Sequence, residues 1–138
     1  MRVEVEPIYV PEQSAPRREG EGVRITPPRY VFAYRVRIVN GSGRTVQLLS
    51  RRWLIVDADG ESHVVEGEGV IGQQPVLAPG AEFVYASYCP LATEWGTMEG
   101  EYTFAASPGG GGTASGADAA RLQVHVARFY LVADEDAE

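Results

Sequence analysis

The hexamer GEGVIG, residues 67–72, has the spacing in this chain that comes nearest to known chemistry. Gly67, Gly69 and Gly72 spell G-x-G-x-x-G, the pattern that brings backbone amides against the pyrophosphate of a dinucleotide. That chemistry needs a strand before the glycines and a helix after them, because the phosphate rests on the amides of a helix N-terminus. Pro75 and the pair Pro79-Gly80 arrive too soon for a helix. An acid about 20 residues on would hold the ribose. That position falls in FVYASYCP, which contains none. Two readings are left. The glycines permit positive backbone torsions in a loop between sheets, or their amides form an anion nest without a helix, aided by an arginine such as Arg52.

Other groups of reactive type are scattered. DADGE, residues 57–61, resembles the start of a calcium loop, but only two acids precede Gly60 and strand-like runs flank it. Asp-Gly there predicts a hairpin turn. His63 and His125 are the only histidines and Cys89 the only cysteine. None has the local spacing of a zinc ligand set, so neither a metal nor a cofactor is expected. Cys89 reads as a small buried hydrophobe, and Glu99 and Glu101 as two solvated glutamates on one strand face. No catalytic residue is expected. Arg51, Arg52 and Trp53 could stack on a base and meet a phosphate. The plainer reading puts Trp53 in the core and the arginines at a sheet edge. Trp95, in ATEWG, is either a lid over the core or an exposed anchor for a partner.

The elements that must position these residues are strands. YVFAYRVRIV, residues 30–39, places Tyr30, Phe32, Tyr34, Val36 and Ile38 on one face and Arg35 and Arg37 on the other. RVEVE (2–6), SHVVE (62–66), EFVYASY (82–88), MEGEYTF (98–104) and LQVHVARFYLV (122–132) also read as strands. VQLLSRRWLIVD, residues 46–57, alternates but slips around Ser50 to Arg52, as a β-bulge would make it do. CPLATEWG reads as an irregular crossing. Seven or eight antiparallel strands with polar outer faces predict two packed sheets, an all-β sandwich. The chain is expected to form one domain over residues 1–133. Loops at 11–28 and 107–120 are expected to be flexible, and 134–138 to be an acidic tail. SPGGGGTASGADAA, residues 107–120, cannot bury enough surface to offset an ordering cost of roughly 1–2 kcal/mol per residue.

With 138 residues and 44% hydrophobic content the chain can build one sizeable core. A net charge of −7 disfavours general nucleic-acid binding or attraction to an anionic membrane. Arg35, Arg37, Arg51 and Arg52 could still form a local basic patch. No run approaches 18 apolar residues, and Glu4 and Glu6 interrupt the N-terminal stretch. Neither a membrane span nor a signal peptide is expected. A lone cysteine fits a reducing cytoplasm.

These stretches, in order, resemble the ApaG family, also called DUF525. The matching runs are VEVEPIYVPEQS, RYVFAYRVRIVN, VQLLSRRWLIVDADG, VEGEGVIGQQPVLAPG and YCPLATEWGTMEGEY. The resemblance implies a sandwich of fibronectin type III-like or immunoglobulin-like form. It implies a link to cobalt and magnesium efflux, and it carries no established catalytic residues. Similar domains in eukaryotic F-box proteins look like protein-interaction modules. Members commonly carry histidine where this chain has Arg52. The function expected is a non-catalytic module that binds an unidentified protein. Trp95 is its anchor, and the loop of Gly67, Gly69 and Gly72 is brought beside it by the crossing 89–97. The alternative is a small-anion or nucleotide-pyrophosphate site at Gly67, Gly69, Gly72 and Arg52. A homo-oligomer is left open.

Overall fold

A computed structural model describes residues 1–15, 28–107 and 120–134. Its strands are β1 (Arg2–Tyr9), β2 (Tyr30–Val39), β3 (Val46–Asp57), β4 (Ser62–Glu68), β5 (Val76–Leu77), β6 (Glu82–Leu91), β7 (Trp95–Ala106) and β8 (Ala120–Val132). The one helical turn among the described residues is a 3₁₀ turn at Pro11–Gln13. One sheet runs β1-β2-β6. The other runs β4-β3-β7-β8, with β5 beside the start of β3. Every ladder is antiparallel. The all-β sandwich read from the sequence is therefore the fold. Most of both expected loops and nearly all of the acidic tail lie outside the described residues.

Period-two alternation becomes two facing apolar layers. Phe32, Tyr34, Val36 and Ile38 of β2 are buried against Leu48, Trp53 and Ile55 of β3 and Met98, Tyr102 and Phe104 of β7. Trp53 is the hub. Its ring meets Tyr34, Tyr102 and Phe129 edge-on, with centroids 5.8, 5.8 and 5.9 Å away. The quadrupoles of aromatic rings favour such contacts. Gly100 stands opposite Trp53 on β7. A Cβ there would lie 2.9 Å from the indole and 2.1 Å from the Arg52 carbonyl oxygen, so the bare glycine makes room for the hub.

Turn chemistry closes the sheets. Asp57 Oδ1 accepts the amides of Asp59 and Glu61 at 2.9 and 3.0 Å, and Gly60 takes φ 83°. The DADG segment is thus the hairpin between β3 and β4. Asn40 is fully buried. Its side-chain amide donates to the carbonyls of Arg44 and Leu77, which ties the β2–β3 turn to β5. The expected bulge is present as a register shift between Leu48 and Ser50. The crossing expected over CPLATEWG is shorter than its sequence implied. β6 persists through Leu91 and β7 begins at Trp95, so only residues 92–94 pass between the sheets.

Candidate functional site

The glycine motif is the end of β4 plus a tight turn. Gly67 pairs with Arg51 across the ladder. Beyond it, Val70 and Gln73 exchange backbone hydrogen bonds of 2.8 and 2.9 Å, with Ile71 (φ 43°) and Gly72 (φ 76°) as the central residues. Positive φ at both centres marks the mirror-image turn that matches strand twist. Gly69 has φ 63°, and a Cβ on it would sit 2.2 Å from the Gln73 carbonyl oxygen. Its amide donates to Leu49 at 2.8 Å. The amides of Gly69, Val70 and Gln73 are therefore spent on the turn itself, and no helix follows.

Ile71 is a β-branched residue in the left-handed region and is 55% exposed. Its conformation costs about 1–2 kcal/mol that packing does not return. Asparagine tolerates this region. Ile71→Asn should raise the urea midpoint by the equivalent of about 1 kcal/mol. An unchanged or lower midpoint would show that the isoleucine is not strained.

The arginine that meets this turn is Arg51, a correction to the expectation placed on Arg52. Arg51 Nη1 donates to the Gly69 carbonyl at 2.7 Å. Gly67 leaves room for the head group, since a Cβ would lie 3.2 Å from Nη1. Arg51 shares its face with Trp53 and Ile55, beside the hydroxyls of Tyr34, Tyr85 and Tyr102, on whose ionisation it acts. Arg52 points to the opposite, outer face, 3.7 Å from Glu66. Neither arginine is at a sheet edge, because β3 lies between β4 and β7. The four candidate arginines do not form one basic patch. Arg37 pairs with Glu4 and Glu82 on the outer face of the three-stranded sheet, and Arg35 lies two residues back on the same face.

Sequence reasoning missed a buried hydroxyl cluster beneath Arg51. The Tyr85 and Tyr102 hydroxyls are 2.5 Å apart. Burial pushes Tyr85 up to about 12 and raises Tyr102 and Tyr34. Burial also pushes the Cys89 thiol up to about 11, so it stays protonated and packs. Trp53 Nε1 is buried without a well-formed hydrogen bond, with the Tyr85 hydroxyl beside it. Alternation flagged these tyrosines only as core.

Trp95 is not beside the glycine turn. It starts β7 next to Gly96, which pairs with Asp57, whereas Gly67 pairs with Arg51. Six residues along β3 separate the two points, about 20 Å at strand rise. The expected meeting of the glycine loop with the crossing is thereby corrected. What surrounds Trp95 is the outer face of the larger sheet. Trp95 pairs with Val132, Thr97 with Tyr130 and Val56, and Leu54 with Val64. Trp95, Tyr130, Val132 and Val64 are 42%, 58%, 55% and 44% exposed. Trp95, Tyr130 and Val132 form an apolar band on β7 and β8 at one end of the face, while Val64 stands apart on β4, level with Leu54 and Glu99. The other end is charged: Arg128 bonds Glu99 at 3.0 Å, His125 stands 3.6 Å from Glu101, and Arg52 faces Glu66. Ser50, Arg51, Arg52, Glu66, Gly67, Glu68, Glu101 and Thr103 line a shallow hollow there of about 360 Å³. Its three carboxylates, Glu66, Glu68 and Glu101, outnumber its two arginines, so the field around Arg52 opposes an anionic ligand.

Fold and surface together define a small two-sheet β-sandwich whose larger outer face is divided into an apolar band and an acidic band. The chain belongs to the ApaG family: the family model described as ApaG domain, DUF525, matches residues 21–106. It is 43% identical to Protein ApaG of Brucella suis biovar 1 (strain 1330) over 131 residues, 95% of this chain and 86% of that protein. It is 48% identical to Protein ApaG of Bordetella pertussis over 102 residues, 74% of this chain and 71% of that protein. A solved structure of an ApaA protein from Bordetella pertussis superposes with TM-score 0.80 at 40% identity, covering 97% of this chain and 94% of that one. No helix among the described residues is long and apolar enough to cross a membrane.

Proposed function

We propose that this chain is a non-catalytic protein-binding module that uses the outer face of its larger sheet. The observation that carries the reading is the apolar band of Trp95, Tyr130 and Val132, exposed on the neighbouring strands β7 and β8 and followed along the same face by Glu99 and Glu101. Contiguous exposed apolar surface rimmed by charge marks contact sites, and tryptophan and tyrosine are the usual anchors of such sites. The acidic border and the net charge of −7 select a partner with an apolar ridge flanked by lysine or arginine. Cys89, buried and held protonated, supports a packing role for the one thiol and a reducing, cytoplasmic setting. On this reading a link to cobalt or magnesium efflux acts through the bound protein. The anion alternative has less support, because the amides of Gly69, Val70 and Gln73 are occupied and Arg52 faces carboxylates.

Trp95→Ala should weaken partner binding about thirtyfold while leaving the thermal midpoint nearly unchanged, since a central aromatic anchor contributes about 2 kcal/mol. The check is capture from lysate by the parent, Trp95→Ala, Tyr130→Ala and, on the opposite face of the sandwich, Tyr88→Ala. Tyr88 is just as exposed, at 59%. Capture that survives both band substitutions, or that falls only with Tyr88→Ala, would sink the assignment of this face.

A further inference from the structure

The sandwich has four sheet edges, and three carry features that obstruct further pairing. β1 contains Pro7 and β6 contains Pro90. β8 is bulged where Phe129 and Val126 pair with Met98 and Gly100. Proline removes a ladder donor and a bulge twists an edge away, which is how native sheets avoid joining other strands. β4 has neither. It is seven residues long, pairs among the described residues only with β3, and every residue except Gly67 is exposed. Val64 on its outer side and Val65 on its inner side are 44% and 39% exposed.

We propose that β4 is an open docking edge to which an extended, basic segment of a partner protein adds as a further antiparallel strand. Residues of an added strand stand directly opposite those of β4 and interact with them in pairs. Glu66 and Glu68 project to the outer face, two residues apart, beside Arg52 and Ser50 of β3. Glu68 has only Ser50 across the ladder, and Glu66 shares its ion-pair partner, Arg52 at 3.7 Å, with Glu101 across β3, so the pair of carboxylates leaves charge for an incoming strand. A fitting segment therefore carries lysine or arginine at alternate positions opposite Glu66 and Glu68, and apolar residues opposite Val64 and Val65. The same charges reject a second copy of the chain. Self-pairing about Val65 would bring both copies' Glu66 and Glu68 to one seam, and each copy carries −7. Backbone ladder bonds supply affinity in such strand addition, and alternate side chains supply selection.

The proposal rests on the protein-binding reading for its partner class but uses the sheet edge rather than the Trp95 band, so the two can fail separately. The probe is the peptide acetyl-Lys-Thr-Lys-Val-Val-Thr-Thr-amide, titrated at low salt against the isotope-labelled chain. Saturable amide shifts should be confined to residues 62–68 and their β3 partners. Only alternate amides of an added strand point at the edge. N-methylation of the odd positions and of the even positions should therefore give one peptide that no longer binds and one that does. Changing both lysines to glutamate should weaken binding about tenfold. The double variant Glu66→Lys, Glu68→Lys should restore that glutamate peptide. Trp95→Ala should leave the titration unchanged. Absence of β4 shifts, equal binding of the two methylated peptides, or loss of binding in Trp95→Ala would each overturn the edge assignment.

Discussion

Replacing Trp53 with alanine should destabilise the domain by about 3–5 kcal/mol, the upper range for a buried aromatic. The indole is 2% exposed and touches aromatic residues from β2, β7 and β8. Each edge-on contact adds about 0.5–1.5 kcal/mol to the burial itself. The surroundings cannot close over the gap, because the residue opposite is Gly100, which has no side chain to move in. The loss would remove much of the roughly 5–15 kcal/mol that a domain of this size holds. Urea unfolding followed by circular dichroism measures it. A loss below about 1 kcal/mol would mean that Trp53 is not the hub described here.

Alkaline conditions should unfold the protein through the same interior. Burial pushes Cys89 from 9.0 up to about 11 and Tyr85 from 10.0 up to about 12, and it raises Tyr34 and Tyr102 as well. An unfolded chain releases these protons near the ordinary values, while the folded chain keeps them. Above about pH 9 the unfolded state therefore binds fewer protons, and stability falls as pH rises. The stability is complete below that point and is lost progressively up to about pH 12. Each group contributes at most about 1.4 kcal/mol per pH unit. Cys89 and Tyr85, each displaced by about two units, together amount to something on the order of 5 kcal/mol. Urea midpoints should drop steeply between about pH 9 and pH 11, and Cys89→Ala should flatten the slope. A midpoint constant across that window would show that the thiol and phenols are not held neutral by the fold.

The strands were legible because burial on one face writes a period of two into the sequence. Tyr30 to Val39 and Val46 to Asp57 were bounded to the residue, since Asn40-Gly41 and Asp59-Gly60 stop them with turn chemistry. Strand ends without such punctuation were missed. β6 runs on through Cys89, Pro90 and Leu91, where a proline at a sheet edge costs no internal ladder bond. β7 starts at Trp95, three residues before the alternating run that begins at Met98. The glycines of 67–72 were recognisable as turn formers from Pro75 and Pro79 downstream, which forbid the helix a pyrophosphate would need.

What the sequence determined by itself was local: alternation, turns, one dominant core face per strand, and the absence of a helix after the glycine motif. These follow from backbone geometry and the two-residue repeat, which act within a few residues. What the tertiary structure decided was which local features meet. The single-residue slip at Leu49 turns Arg51 inward and Arg52 outward, because one extra residue exchanges the faces of everything after it. Strand order sets Trp95 beside Tyr130 and Val132 and about 20 Å along β3 from the glycine turn. It also leaves β4 at an edge. No residue in these strands encodes its neighbour across the sheet, since pairing depends on the packing of both layers at once.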